Sequence, residues 1–372
     1  MKKIIWFTNS HEHRNHLLKY GLMKLARQRK IEFIEQDNSH LLDYNLPLSL
    51  KNHTHRHTNL LMYINGNKTI KILVDSEDSF VHLCPLIEDV DIYFCAAYNH
   101  DFHVEKKFIQ KYDWQTNEDV AEYEEKSRQL ISDYNDHFCK INKFIPIGFN
   151  LSHPIQNSYL KQKVINIRHK ITNLLLKQKN WASELEIFEA RYNYVNQLRH
   201  EKLLHDVVLY DTLWGGWPQH RYNLHVKLQD LSQQYNISSV LKWDESANQS
   251  KFIKEDFPVI SHPIHGNYEE MLAASRLGVF ATGFHWGWRN IMTLTLFFGI
   301  PIYMDKPIFE PYFDFDEFQV FYNDGNWQSL ESCLNQIDDD SWIKTKQHNQ
   351  SVYDKYLAPE KVAEYFIKTI DP

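Results

Sequence analysis

Residues 278–305, GVFATGFHWGWRNIMTLTLFFGIPIYMD, decide how this chain is read. The first apolar run, 279–282, suits a strand buried on both faces, and Gly283 and Gly287 mark the loop after it. From Arg289 to Phe298 the apolar residues Ile291, Met292, Leu294, Leu296, Phe297 and Phe298 surround the axis, so the helix predicted here is buried. Gly299 ends it, and 300–304 return as a second buried strand. A glycine-bearing loop at the start of a buried helix presents free N–H groups and the positive end of a dipole, a seat for a phosphate or diphosphate. Arg289 and Asn290 open the helix, and Arg289 adds a permanent charge with bidentate geometry. The alternative is an ordinary strand–loop–helix in which Arg289 pairs with a neighbouring acid.

Outward from this unit the same alternation continues. Residues 207–213 read as a strand, Gly215-Gly216-Trp217-Pro218 as a turn, 222–234 as a helix, and 238–243 and 257–261 as further strands. Asn267, with Glu270 three residues on, opens a helix predicted over 268–276. In the first part of the chain the apolar runs 2–8, 31–35, 60–64, 69–74, 90–95 and 144–147 alternate with stretches of helical character, the clearest at 16–29. Strands separated by helices point to a parallel sheet with helices on its faces. The polar, leucine-bearing stretch from about 150 to 205 reads as long helices joining the two series.

With 372 residues the chain is long enough for two domains. The organisation expected is 1–150 as a first α/β domain, 151–204 as a helical connection, 205–350 as a second α/β domain and 351–372 as a terminal helix. A formal charge of −7 argues against nucleic acid as the main partner. The four cysteines form no CxxC pair, which points to a reducing, cytoplasmic setting and away from a disulfide framework or cysteine zinc site. The N-terminal apolar run stops after Phe7, short of a signal-peptide core, and no segment is long enough to span a bilayer. A peripheral contact at the inner face of a membrane stays compatible with this. Aromatic side chains are abundant, with 10 Trp, 21 Tyr and 22 Phe, which serves either a generous core or stacking platforms for flat ligands and sugar rings.

Residues 268–305 resemble the C-terminal donor-binding region of GT-B glycosyltransferases, in which a helix, a strand, a glycine-containing loop and a buried helix lead into a G-x-P-[IV] strand. Glu269, Glu270, Ala273, Ser275, Gly278, Gly283, Gly287, Gly299, Pro301 and Ile302 carry the likeness, and Arg289 ahead of GIPI is similar to exostosin-like members. FIPIG at 144–148 adds to it, as does the overall span of about 207–324. The sequence departs from the family where Leu294 stands in place of the acidic residue of many retaining members, and where Thr8-Asn9-Ser10-His11 replaces a glycine-rich loop. The resemblance implies two Rossmann-like domains facing a central cleft, with a C-terminal helix crossing back to the first. It implies a metal-independent hexosyltransferase-like enzyme without a cofactor, taking a nucleotide-sugar donor and a glycan or glycolipid acceptor of cell-surface polysaccharide or lipopolysaccharide type.

On that frame the candidate donor-binding residues are Gly215, Arg221, His262, His265, Gly283, Gly287, Arg289 and Asn290. Arg221, or His220 beside it, is placed to meet donor phosphate; otherwise Gly215-Gly216 only makes a turn and Arg221 is solvated. His262 and His265 face either the nucleoside or a structural role. The catalytic candidates are Asp75, Glu77 and Asp78, which follow a buried strand, and His11 in the loop after the first strand. A carboxylate with a raised pKa in a closed cleft takes a proton from an acceptor hydroxyl. The bland alternative for the three acids is a helix N-cap cluster. His11-Glu12-His13 is not HExxH, so no metal site is assigned. Two other readings of a bilobed chain stand beside the transferase: a non-catalytic sugar-binding protein, and a sugar-nucleotide epimerase.

Overall fold

Strand β1 (Lys3–Thr8) carries Ile4, Ile5, Trp6 and Phe7 with almost no exposed surface, so it lies inside a sheet covered on both faces. The computed structural model of the chain describes residues 2–8, 14–37, 40, 44, 46, 57–108, 111–144, 148–153, 181–213, 217–245, 253–258, 266–282 and 288–372. Around β1 the first sheet is completed by β2 (Glu32–Asp37), β3 (Thr58–Asn65), β4 (Lys68–Asp75), β5 (Ile92–Cys95) and β6 (Ile141–Lys143), in the order β2-β1-β3-β4-β5-β6. Helix α1 (His16–Arg27) supplies the β1–β2 crossover. Helices α2 (His100–His103) and α3 (Asn117–Tyr134) lie between β5 and β6.

The expectation of an all-parallel first sheet is corrected here. Strand β3 runs antiparallel to both β1 and β4, while the other pairings are parallel. The cause is local: Asn65 pairs with Lys68 across a two-residue loop in which Gly66 takes φ +59°, a conformation that costs glycine nothing. The last strand of the sheet lies at Ile141–Lys143, and of the strand expected at 144–147 residues 145–147 fall outside the described residues.

The second sheet is wholly parallel. It contains β7 (His205–Leu213), β8 (Ile237–Trp243), β9 (Ser275–Phe280), β10 (Ile302–Met304) and β11 (Val320–Tyr322), in the order β11-β10-β9-β7-β8. Its helices follow α4 (Trp181–Gln197), the described part of the connection: α5 (Pro218–Leu231), α6 (Tyr268–Ala273), α7 (Asn290–Phe298), α8 (Leu330–Asn335) and α9 (Asp339–Tyr356). Asn267 caps α6 through its side chain as expected, but the helix stops at Ala273 because Ser275 and Arg276 already belong to β9. Helix α7 is buried from Met292 to Phe298, and the predicted strand at 257–261 lies largely outside the described residues. The strand order reverses between β7 and β9, the switch point at which parallel sheets open a crevice beyond their C-terminal ends.

Helix α10 (Pro359–Ile370) leaves the second sheet and packs against α1 of the first, the crossing that the resemblance implies. Val362, Ala363, Phe366 and Ile370 form its buried stripe, and Phe366 meets Phe94 of β5 at 4.9 Å. Beyond it Asp371 pairs with Lys2 at 2.9 Å and accepts the Tyr63 hydroxyl at 2.5 Å. The two sheets thus share one hydrophobic cluster, running from Ile4 to Ile370. Among the described residues no helix is long and apolar enough to cross a membrane.

The α1–α10 contact depends on Gly21, where a Cβ atom would lie 1.9 Å from the Pro359 carbonyl oxygen. Gly21→Ala therefore forces the helices apart and is expected to lower stability by about 1–3 kcal/mol, the usual cost of overpacking. A denaturant midpoint equal to that of the native chain would contradict this account of the docking.

Candidate functional site

Strand β4 delivers Asp75 to the C-terminal edge of the first sheet, where it is fully enclosed. One carboxylate oxygen accepts the Glu77 N–H at 2.8 Å and the other accepts the Tyr93 hydroxyl, which in turn accepts the Cys84 N–H at 3.0 Å. Asp75 is thereby committed to shaping the loop. Arg14, at the entry to α1, donates to the Ser76 carbonyl at 3.0 Å and lies 3.9 Å from Asp78 Oδ1. Ser76 Oγ donates to Asn15, whose amide donates to Asn59 at 2.9 Å. No helix begins at 75–78, so the reading of these acids as an N-cap cluster is corrected: the chain after β4 runs irregularly to a short 3₁₀ turn at Pro85–Glu88.

This loop gives Asp78 an unusual acidity. Burial disfavours its charged form, Arg14 and His57 act the other way, Glu77 reinforces the burial, and the carboxyl is pushed up to about 7. Glu77 is itself buried, with one oxygen 3.9 Å from His57 Nε2 and the other without a hydrogen-bond partner among the described residues.

The second sheet brings its own charges to the facing edge. Asp211 on β7 is almost wholly buried. It receives Arg289 at 2.8 Å from the start of α7, and Arg221 Nε at 3.5 Å from the first turn of α5. Arg221 also donates to the Thr212 carbonyl at 2.6 Å. Burial pushes the Asp211 carboxyl up, but Arg221 and Arg289 outweigh it and hold the group at about 2. One turn along α5, His225 is enclosed with neither ring nitrogen partnered among the described residues. Burial, opposed by Asp211 and aided by both arginines, lowers its pKa to about 4, so it is neutral near pH 7.

Among the described residues the two guanidiniums share the Asp211 carboxylate at the mouth of the switch point, and Arg221 is also within the field of Asp78. Arg289 is the more accessible of the pair, its side chain 17% exposed against 5% for Arg221. Of the two readings offered for Arg289, the pairing with a neighbouring acid is the one observed, its partner being Asp211. Arg221 is buried, not solvated. Asn290 is exposed as the first residue of α7.

The two edges lie close together. Asp78 bears electrostatically on Arg221. Trp114, from the first half of the chain, stacks on His220 of α5 at 3.7 Å with the rings 5° apart, and His220 Nε2 sits 3.0 Å from both oxygens of buried Asp305. Asp305 also accepts the Thr282 N–H at 2.8 Å, which fixes the end of β9. Glu310 joins the halves again, accepting from Lys143 at 2.8 Å and from the His100 N–H at 2.9 Å.

Of the residues singled out from sequence, Asp75, Glu77, Asp78, Arg221, Arg289 and Asn290 lie at these two edges. His11, Gly215, His262, His265, Gly283 and Gly287 lie outside the described residues. Sequence reasoning passed over Asp211, Arg14, His225 and Asp305. A signal existed for Asp211, an acid flanked by Leu209 and Leu213 in a strand otherwise suited to burial.

No family model matches the chain, and no curated protein matches it. Among solved structures it is similar to the wall teichoic acid polymerase TagF soaked with CDPG, at 10% identity and a TM-score of 0.29, covering 80% of this chain and 70% of that one. It is also similar to UDP-GlcNAc 2-epimerase from Neisseria meningitidis bound to UDP-GlcNAc, at 10% identity and a TM-score of 0.33, covering 98% of each chain. Likeness at this level leaves the functional reading to the chain's own residues.

The Asp211 arrangement makes a graded prediction. Asp211→Ala leaves two buried-side guanidiniums without their shared counter-charge and is expected to destabilise by about 3–5 kcal/mol. Arg289→Ala should cost clearly less, because Arg221 still neutralises Asp211. Equal losses in denaturant unfolding would refute the shared-carboxylate account.

Proposed function

We propose that the protein is a glycosyltransferase that moves a sugar from a nucleotide-sugar donor to a hydroxyl of a glycan or glycolipid. What supports this reading is that Asp78, whose carboxyl burial raises to about 7, acts electrostatically across the facing sheet edges on Arg221, one of two arginines gathered on Asp211. Transfer needs both. As the bond from the anomeric carbon to the diphosphate breaks, its electron pair leaves on the diphosphate, and a fixed positive group lowers the cost of that charge. As the acceptor oxygen bonds to the anomeric carbon, its proton must go to a base whose pKa lies near the working pH.

In this reading Arg289 meets the donor diphosphate, with Asn290 and the Gly283–Gly287 loop beside it, and Arg221 orients Arg289 through Asp211. Asp78 takes the acceptor proton. Asp75 positions the loop, Glu77 keeps Asp78 weakly acidic, and Arg14 holds the loop carbonyl. His11 remains a second candidate base, and His262, His265 and Gly215 remain candidates for donor contact. The acceptor is then bound by the first half of the chain and the donor by the second.

Two measurements test the reading. A nucleoside diphosphate at a hundredfold excess over its Kd should stabilise the protein by about 2.7 kcal/mol through mass action. Arg289→Ala should weaken that binding about 10–100-fold, and Arg289→Lys should recover only part because an ammonium lacks the guanidinium fork. No stabilisation by uridine, guanosine, cytidine or thymidine diphosphate would sink the proposal. Release of nucleotide without transfer, or formation of an epimeric nucleotide sugar with no acceptor present, would redirect it to the epimerase.

The second measurement is the pH profile. Asp78 acts as a base only when ionised, so kcat/KM should rise with pH through about 7 and level off above it. Asp78→Asn should remove this limb and lower kcat about 10²–10⁴-fold with nucleotide affinity nearly intact. A profile unchanged by the substitution would assign the base elsewhere.

A further inference from the structure

A cavity of about 310 Å³ opens at the start of α5, lined by Trp114, Trp217, Phe257, Asn223, Gln219 and Asp119, with His220 and Gly325 also at its wall. It lies on the seam between the halves. Trp114 follows β5, Trp217 precedes α5 and inserts into the hydrophobic cluster of the first sheet, and Phe257 belongs to a small cluster beside β7 and β8. His220, at its wall, directly precedes Arg221 in α5.

We propose that this cavity is a subsite for a single pyranose ring. Its volume lies at the lower end of the range for small-molecule sites, too small for a whole nucleotide sugar and ample for one ring. Among the described residues its lining contains no lysine or arginine, and His220 is already engaged with Asp305, which argues against a phosphate as the occupant. The aromatic walls argue against a nucleobase. A flat base calls for an open face, whereas Trp114 and Trp217 meet at 78° and the Trp114 ring is already stacked on by both His220 and Tyr112. A corner of crossed rings suits a puckered ring with an apolar C–H face.

The polar rim fits the hydroxyls of such a ring. Asp119 accepts the Thr116 N–H through Oδ2, which fixes the carboxylate and leaves Oδ1 without a partner among the described residues. Gln219 donates to Asn223 Oδ1 at 2.7 Å, which orients both amides and leaves the Asn223 NH₂ group available to a ligand oxygen. The indole N–H of Trp114 is buried with no partner among the described residues, a donor whose desolvation a ligand oxygen would offset. The identification of the ring as part of a donor or an acceptor rests on the transferase reading, since it arrives either as the glycosyl group of the nucleotide sugar or as the end of the acceptor.

The test uses the full chain and saturation-transfer NMR. The probes are methyl glycosides of glucose, galactose, mannose and N-acetylglucosamine, the UDP and GDP conjugates of the same sugars, and UDP and GDP alone. Trp217 is unsuited to substitution because it belongs to the core of the first sheet, so the variants are Asn223→Leu and Asp119→Asn. Asn223 is exposed on α5, and the amide that replaces the Asp119 carboxylate keeps an acceptor oxygen for the Thr116 N–H. At least one sugar is expected to receive saturation, with affinity lowered about 2–10-fold by Asn223→Leu, the worth of one hydrogen bond, and UDP or GDP affinity unchanged. Sensitivity seen only in the conjugates assigns the ring to the donor; sensitivity of a methyl glycoside with UDP or GDP bound assigns it to the acceptor. Sugars that bind equally to native and both variant proteins overturn the subsite, as does the absence of sugar binding where UDP or GDP binds. If neither UDP nor GDP binds, the subsite is decided by the methyl glycosides alone, and the transferase reading by the four-nucleotide stabilisation test.

Discussion

The carboxylate of Asp211 is taken out of water in the middle of a parallel sheet, and such a burial is tolerated only with a counter-charge in good geometry. That requirement organises the second half of the molecule. The two guanidiniums that meet it come from the starts of α5 and α7, the helices that follow β7 and β9. Because the sheet reverses its order between those strands, the ion pairs hold both helix starts against the crevice. The helix ends carry partial positive charge and the arginines carry whole charges, and both arginines meet Asp211. The concentration of positive groups at this edge is therefore a consequence of solving a burial problem with two cations instead of one. Neutral His225 beneath them adds no charge of its own near pH 7.

The first sheet faces this edge with the opposite sign, and the contacts joining the halves keep the two edges close. Glu310 answers Lys143 and the start of α2, Tyr112 donates to the Lys306 carbonyl at 2.5 Å, and α10 closes the far side against α1. Asp75 supplies rigidity of another kind. With both oxygens occupied by Glu77 N–H and the Tyr93 hydroxyl, it sets the path of the loop that carries Asp78. The proximity of two acids inside that loop, with Arg14 compensating only in part, adds to the burial that raises the Asp78 carboxyl. The same loop as a solvated helix cap would have an ordinary acidity.

Much of the second sheet was legible because its signals are local. The apolar run of α7, its glycine end and the return through Ile302 are written in consecutive residues, and the expected elements lie within a few positions of the observed ones. The first sheet was harder. A hairpin at Asn65-Gly66 between two apolar runs is a short-range signal that outranks the alternation of strands and helices, and it reverses β3. The ion pair of Asp211 with Arg289 joins residues 78 positions apart, and the hydrogen bond of His220 with Asp305 residues 85 apart. No periodicity encodes such pairings. What sequence does carry is the anomaly each leaves behind: an acid in an apolar strand, or one directly after a strand, which must find a partner somewhere in the fold.

Placing a weakly acidic carboxyl beside an anion seat has a consequence for the proposed chemistry. Negative charges raise one another's proton affinity, and Asp78 already interacts with Arg221, the inner member of the pair. As negative charge develops on a departing diphosphate at Arg289, the field from the arginines at Asp78 is offset and its affinity for a proton grows. Proton uptake by Asp78 in turn removes a negative charge that would oppose the one developing on the leaving group. Bond breaking and proton transfer therefore favour each other through the same cluster of charges, without either group touching the other. The carboxyl must begin ionised for this to operate, and a pKa near neutrality lets it do so while keeping enough basicity to accept the proton. Placed beside Arg289, where Asp211 is held at about 2, a carboxylate would be too weak a base.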